Sequence, residues 1–262
     1  MEIRYHDDAV VELEFDSKLH AYRADGDPVP SATKVLGIIA KPALVPWALK
    51  MGSEWLERNL FVADGEEAGT LKYTSRLTLD AIMKGVKSAH RSSSGNALGI
   101  GTDTHTWIEE AVNIFIDGDG HFGDDNIPDL PEDPETNNSC SAFLEWVAEN
   151  DIHFEHSEAR IYNRLDRYAG TVDCIATVNG VKSVIDWKTS KGIYPEYHLQ
   201  VAAYAKAWED MSGEDIDQTV VLRLDKSSGR YQVGAQSRRE WNQNFDLFLN
   251  ALGLYNGLKR LK

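Results

Sequence analysis

Cysteine is scarce in this 262-residue sequence, which contains only Cys140 and Cys174. Two cysteines cannot build a four-cysteine zinc site or hold an iron–sulfur cluster, so no iron–sulfur cofactor is expected. Nor can two cysteines form the disulfide framework that is typical of small secreted domains. A reducing compartment, the cytoplasm, is therefore the location that the cysteine content favours.

Long hydrophobic segments are also missing. No run of about 18 uninterrupted apolar residues occurs, so we expect no membrane-spanning helix and no membrane partner. The first ten residues, MEIRYHDDAV, have neither the basic nor the apolar region of a secretory signal. The hydrophobic content of 42% is ordinary for a globular chain, and the length suits one structural domain.

An excess of positive charge, the usual mark of a nucleic-acid-binding protein, is absent, because the formal net charge is −15. The distribution weakens this objection. Residues 117–135 contain eight acidic residues and no Lys or Arg. This segment alone accounts for more than half of the net negative charge. Basic residues cluster elsewhere in the chain. Residues 75–91 have a helical pattern, and the basic residues of this segment that we expect to bind DNA are Lys84, Lys87 and Arg91.

The pattern of turn-forming residues divides the chain into three parts. Residues 1–116 are expected to form a hairpin and a helical wall, in which the serine- and glycine-rich residues 92–96 separate one helix at 75–91 from another that begins near Thr102. Residues 117–138 are rich in Gly, Pro, Asp and Asn, and they are interpreted as an acidic loop insert. Residues 139–262 are expected to form the core of the protein.

Alternating hydrophobicity in this core predicts strands at 153–163, 168–178, 181–189, 218–224 and 230–235. Helical patterns cover residues 139–150, 198–211 and 240–261. The order of these elements predicts an α/β fold, in which helices flank a central mixed sheet.

Charged residues that can carry chemistry lie in the segment GTVDCIATVNGVKSVIDWKTS. Asn179-Gly180 is a strong hairpin signal, and a turn there places Asp173 opposite Asp186 on neighbouring strands. Residues two apart on a strand share a face, so Asp186 and Lys188 are expected to project together, with Trp187 on the other face. Two carboxylates facing each other are destabilising and require a nearby cation.

A hard divalent cation, Mg²⁺ or Mn²⁺, suits these carboxylates. One or two such ions would activate a water for hydrolysis of a phosphodiester, and a neighbouring lysine would assist the attack. The backbone carbonyl of Trp187, which lies between the two side chains, is a further expected metal ligand.

G-T-V-D at residues 170–173, followed by D-W-K at 186–188, resembles the signature of the PD-(D/E)xK nuclease superfamily. Three other segments are similar to its RecB-like branch, which includes phage exonucleases and the mitochondrial genome maintenance exonuclease. His105 lies in GTDTHTWIEE, which resembles the G-x-x-x-H-x-x-x-E helix of that branch. Gln200 and Tyr204 match its Q-x-x-x-Y helix, and HAYRADGDPVPSATKVL resembles its N-terminal segment.

The resemblance implies a restriction-endonuclease-like fold and a DNA nuclease in which His105 is a metal ligand and Gln200 and Tyr204 belong to the catalytic site. It further implies an exonuclease that acts on DNA ends, single-stranded ends included, in recombination, replication or repair. A recombination or replication protein would be its partner, in the cytoplasm of a bacterial or phage-infected cell.

Several alternatives remain open at the level of sequence. An endonuclease could use the same site, a catalytically silent nucleic-acid-binding protein could retain the fold, and RNA could be the substrate. Glu158, on the preceding strand, is either a further metal ligand or a surface carboxylate. Glu109, four residues after His105, could hold the histidine ring.

Overall fold

The computed structural model describes residues 1–39, 44–59, 78–118 and 127–261, without the side chains of residues 90–94 and 96. Two compact units make up the chain: residues 1–39 together with 101–262, and residues 40–100. The expected N-terminal part and the expected core both contribute to the first of these units.

A mixed five-stranded sheet forms the centre of the first unit. Its strands are β5 (Ile152–Asn163), β6 (Tyr168–Val178), β7 (Val181–Lys188), β8 (Gln218–Leu224) and β9 (Tyr231–Ser237), arranged in that order. Only β7 and β8 are parallel; the other neighbours are antiparallel. The α/β class and the mixed sheet predicted from the sequence are therefore confirmed, and the predicted strands agree closely with the observed ones.

The hairpin of β6 and β7 has the predicted register. Val178 pairs with Val181 and Cys174 pairs with Ile185, with Asn179 and Gly180 in the turn between the strands. Both turn residues have positive φ, 50° and 78°, as a tight two-residue hairpin turn requires. The pairing ends at Cys174 and Ile185; Asp173 and Asp186 are the next residues beyond it, and Oδ2 of Asp173 accepts a hydrogen bond from the Trp187 amide.

Helices cover both faces of this sheet. On one face, α3 (Leu79–Asp117) and α4 (Pro134–Glu149) bury an aromatic core that includes Phe115, Phe143, Trp146 and Trp187. On the other face, α1 (Ala32–Leu36), α5 (Pro195–Ser212) and α6 (Arg238–Arg260) enclose a second core. These two layers account for the continuous burial of the central strands.

A four-stranded antiparallel sheet precedes the central one. It comprises β1 (Glu2–Arg4), β2 (Val10–Asp16), β3 (Ala21–Ala24) and β4 (Asp27–Val29). Its buried residues pack with Tyr162 and Ala169 of the central sheet. The hydroxyl of Tyr5 donates a hydrogen bond to the Tyr162 carbonyl (2.7 Å), which ties the two sheets together.

Two predicted helix boundaries are wrong. The expected break at residues 92–96 does not interrupt the backbone of α3, which is helical from Leu79 to Asp117. Serine, glycine and asparagine each cost about 1 kcal/mol or less in a helix interior, and a long helix tolerates that cost. Helix α4 begins at Pro134 rather than at residue 139, because Asp133 caps it by accepting a hydrogen bond from the Thr136 amide.

The described part of the second unit consists of α2 (Leu44–Asn59) and the first turns of α3. Part of the expected acidic insert, residues 119–126, lies outside the described residues, as do residues 75–77 of the expected helix at 75–91. Among the helices that the structure describes, none combines the length and the hydropathy needed to span a membrane.

Candidate metal centre

Asp173 lies where the regular alternation of side chains along β6 breaks. Val172 belongs to the core under α5 and α6, whereas Cys174 belongs to the core under α3 and α4. Two residues that should share a face thus lie on opposite faces, and Asp173 stands between them. Its carboxylate accepts a hydrogen bond from the Trp187 amide (2.8 Å) on β7.

Glu158 occupies the facing position on β5. Ser157 pairs with Cys174 and Ala159 pairs with Val172, so Glu158 lies across from Asp173. The backbone of Glu158 has φ of 47°, a conformation that is uncommon for residues other than glycine. Backbone strain of this kind is concentrated at functional sites.

His105 reaches the same place from α3. One ring nitrogen, Nε2, lies 3.1 Å from the Trp187 carbonyl oxygen, and Nδ1 lies 3.7 Å from Oδ2 of Asp173. A ring protonated at Nε2 would donate to that carbonyl and leave the Nδ1 lone pair facing the carboxylate. Glu109 forms no hydrogen bond to this ring among the described residues, so the Trp187 carbonyl, rather than Glu109, orients His105.

His105, Glu158 and Asp173 together form a group that could hold a metal ion, because one ligand atom from each lies within 4.8 Å of the others. Burial, together with the nearby carboxylates of Asp173, Glu109 and Asp186, raises the pKa of Glu158 to about 8. Close, partly desolvated carboxylates disfavour each other's charged form, and a cation would relieve that repulsion.

Asp186 and Lys188 form an ion pair beside this group. Asp186 is fully buried. Burial raises its pKa, Lys188 opposes that shift, and the Asp173 carboxylate adds to it. Burial also favours a neutral Lys188, but the Asp186 and Asp173 carboxylates outweigh it and raise the pKa of the ammonium group. Lys188 is therefore charged at neutral pH.

Gln200 and Tyr204 approach Asp186 from α5. The side-chain amide of Gln200 donates to Oδ1 of Asp186 (2.9 Å) and to the Tyr204 hydroxyl (3.0 Å). Both residues are buried, one helical turn apart on the same face of α5. They fix the orientation of the Asp186 carboxylate, while the ammonium group of Lys188 lies 5.2 Å from the ring centroid of Tyr197.

The backbone and the side chain of Trp187 have different environments. Its indole packs edge-on against Phe143 and Trp146 in the aromatic core, with centroid distances of 5.4 and 6.0 Å. Its carbonyl, expected as a metal ligand, lies at hydrogen-bonding distance from His105. The rigid indole thus anchors the strand that presents Asp186 and Lys188.

The three basic residues expected to bind DNA lie on α3, in the second unit. Lys84 and Lys87 are exposed and one turn apart, whereas the side chain of Arg91 lies outside the described part of the chain.

Two features of the site were missed from the sequence. Gly170, noted only as part of G-T-V-D, leaves room for the ring of Tyr204. A pocket lined by Phe15, Tyr22 and residues of β5 and β6 adjoins Glu158. Gly170 and the aromatic residues of the β2–β3 hairpin are present in the sequence, but their roles depend on packing between segments that are far apart in the chain.

No protein-family model matches the chain, and none of the curated proteins compared with it shows significant similarity. The residues of the site must therefore carry the functional argument.

Proposed function

We propose that this protein is a divalent-metal-dependent DNA nuclease of the PD-(D/E)xK superfamily, in its RecB-like branch. The observation that carries the proposal is the convergence of His105, Glu158 and Asp173 from α3, β5 and β6 within 4.8 Å. The buried Asp186–Lys188 pair stands beside them. A mixed sheet with helices on both faces supports a restriction-endonuclease-like fold.

The residues of this group fit Mg²⁺ or Mn²⁺. Two carboxylates supply the hard oxygen ligands that both ions prefer, and the imidazole of His105 favours Mn²⁺. We assign Asp186 to the same ligand set because the amide of Trp187, the next residue on β7, donates a hydrogen bond to Oδ2 of Asp173. We retain the Trp187 carbonyl as a further ligand. The bound ion would supply Lewis-acid activation of the phosphate and of the attacking water.

The protein's own groups have distinct tasks in this proposal. Lys188 holds its proton and can donate a hydrogen bond to a phosphate oxygen or to the attacking water. Gln200 keeps Oδ1 of Asp186 in place by a hydrogen bond of 2.9 Å. Tyr204, whose pKa burial raises well above its ordinary value, stays protonated and supports the Gln200 amide.

The substrate is proposed to be DNA with a free end, cleaved as by an exonuclease in recombination, replication or repair. Lys84, Lys87 and Arg91 would contact its phosphates. A recombination or replication protein in the cytoplasm is the corresponding partner. Each of these assignments follows from the resemblance to RecB-like nucleases and from the exposed lysines of α3.

Cleavage assays with labelled linear and covalently closed circular DNA, each single- and double-stranded, test this function. We expect degradation of linear DNA with Mg²⁺ or Mn²⁺ and none with EDTA. Cleavage of closed circles would show an endonuclease, and faster cleavage of matched RNA would show a different substrate. Undiminished cleavage in EDTA, or none with any metal, would overturn the proposed mechanism.

A further inference from the structure

A pocket of about 330 Å³ lies beside the candidate metal centre, within the first unit. It is a half-open cleft lined by the hairpin of β2 and β3, the start of α1, β5, β6 and α5. Its lining residues are Phe15, His20, Tyr22, Ser31, Thr33, Glu158, Gly170, Thr171 and Tyr204. Glu158 belongs both to this lining and to the group that could hold a metal, so the pocket and the metal group share a wall.

We propose that this pocket binds one unpaired nucleobase of a substrate strand. The proposal rests on the proposed nuclease function and assigns to it a subsite for the nucleotide next to the cleaved bond. A phosphodiester held at His105, Glu158 and Asp173 would place an adjoining nucleoside at this shared wall.

The aromatic residues of the hairpin provide a surface for stacking. The rings of Phe15 and Tyr22 lie 4.6 Å apart, and the His20 ring meets Phe15 edge-on at 6.0 Å. Phe15 is half-buried and His20 is exposed, so both can contact a ligand. Bases stack on such rings with little dependence on their identity.

The hairpin is held in place before any ligand arrives. The Asp16 carboxylate accepts hydrogen bonds from the amides of Lys18 (2.9 Å) and Leu19 (3.0 Å), which fixes the turn leading to His20. The Tyr22 hydroxyl is bonded to Thr171 on β6 (2.8 Å). Such preorganisation reduces the entropy lost on binding.

Size and polarity favour a single base. The volume is at the lower end of the roughly 300–1,000 Å³ typical of small-molecule pockets, which is room for one nucleoside. The hydroxyls of Ser31 and Thr33 are hydrogen-bonded to each other and that of Thr171 to Tyr22, and each pair keeps acceptor lone pairs for the edge of a base. The guanidinium group of the exposed Arg160 lies over the Phe15 ring, 5.5 Å from its centroid, and a base that stacks on this ring would displace it toward a neighbouring phosphate.

The test is the fluorescence of 2-aminopurine, a base analogue whose emission falls when it stacks. Single-stranded DNA and RNA oligonucleotides, each with the analogue at one successive position from either end, would be titrated with the full chain in EDTA. Phe15→Leu retains apolar volume without a ring, whereas Phe15→Trp retains the ring. Leu19→Ala is the matched control, because Leu19 lies in the same hairpin, is 74% exposed and does not line the pocket.

We expect quenching at one position near an end, in wild type, Phe15→Trp and Leu19→Ala. In Phe15→Leu this quenching should be lost and the affinity weakened roughly ten-fold, as for one lost base–aromatic stack. No position-specific quenching, or equal quenching in Phe15→Leu, would overturn the proposal. Since EDTA prevents metal chemistry, this readout is independent of cleavage. If a base is quenched in this test but no metal-dependent cleavage is found in the cleavage assays, the nuclease function is refuted and the base-binding pocket stands.

Discussion

Gly170 on β6 lies directly against the ring of Tyr204 on α5, so that a Cβ at residue 170 would come within 2.6 Å of Cε1 of the tyrosine. Tyr204 accepts a hydrogen bond from Gln200, which in turn holds Asp186. The absence of one side chain on β6 therefore determines the position of a carboxylate on β7.

Gly170→Ala is expected to displace Tyr204 and to lower both stability and activity. Overpacking of a buried site costs about 1–3 kcal/mol. Chemical denaturation would measure the loss, with Gly253→Ala as the control, because a Cβ there meets open space on helix α6. The control should be neutral or stabilise by up to about 1 kcal/mol. Equal stability of the two variants would contradict the tight contact.

Metal affinity should depend on each member of the proposed ligand group. Replacing Asp173 by Asn or His105 by Ala should weaken Mn²⁺ binding by at least about ten-fold, the size of effect seen when even an indirect support of a metal ligand is lost. Calorimetry with Mn²⁺ would measure this. Glu110→Gln, an exposed change on the same helix, should bind Mn²⁺ like the wild type. Unchanged affinity in His105→Ala would make His105 a packing residue.

Loss of His105 should reduce the rate of catalysis less than loss of Asp173 or Asp186. We expect Asp173→Ala and Asp186→Ala to abolish turnover and His105→Ala to retain a small part of it, with Mn²⁺ at least as effective as Mg²⁺. The imidazole is one ligand among several, whereas Asp186 also holds Lys188 and Gln200. Metal-dependent cleavage rates of folded variants would decide, and full activity in His105→Ala would refute the RecB-like assignment.

Metal binding should strengthen as pH rises toward 8. Glu158 has a raised pKa of about 8, so below that pH a proton must leave before the carboxylate can bind an ion. Because the folded, metal-free protein holds the Glu158 proton more tightly than the unfolded chain does, protonation of Glu158 stabilises the fold. That stability is present below the ordinary glutamate pKa and is lost as pH rises through about 8.

Glu158→Gln should flatten both pH dependences near pH 8, since an amide does not titrate, while Asp186, whose pKa burial raises to about 6, leaves a dependence at lower pH. Mn²⁺ titrations and thermal unfolding of the metal-free protein between pH 5 and about 9 would test this. A wild-type affinity that is constant across this range would show that Glu158 is not a ligand.

Exposed lysines of α3 should contribute to DNA binding through salt-dependent contacts. The double variant Lys84→Glu/Lys87→Glu should bind DNA more weakly, and the log–log salt slope should fall by about 0.9 for each lost phosphate contact. Filter binding or anisotropy at several salt concentrations would measure it. The double reversal Lys226→Glu/Arg230→Glu in the first unit changes the net charge by the same amount and serves as the charge-matched control. Equal DNA affinity of the two variants would show that DNA does not bind at Lys84 and Lys87.

Local sequence patterns are enough to predict the strands of the central sheet and the register of the β6–β7 hairpin. A two-residue Asn-Gly turn and a period of two are local properties, so they fix the register of β6 and β7 and place Asp186 and Lys188 on one face. Helix boundaries were predicted less accurately. The weak helix formers at residues 92–96 do not end α3, and the cap at Asp133 starts α4 five residues before the predicted position.

Contacts between distant segments could not be predicted from local patterns. The sequence left Glu158 as either a ligand or a surface carboxylate; the break in alternation at Asp173 and the strained backbone of Glu158 bring the two within reach of His105. Likewise, the docking of the N-terminal hairpin against β6 makes a pocket from Phe15, Tyr22 and Thr171. These relationships depend on long-range packing between segments far apart in the chain, and no local pattern of residues encodes such contacts.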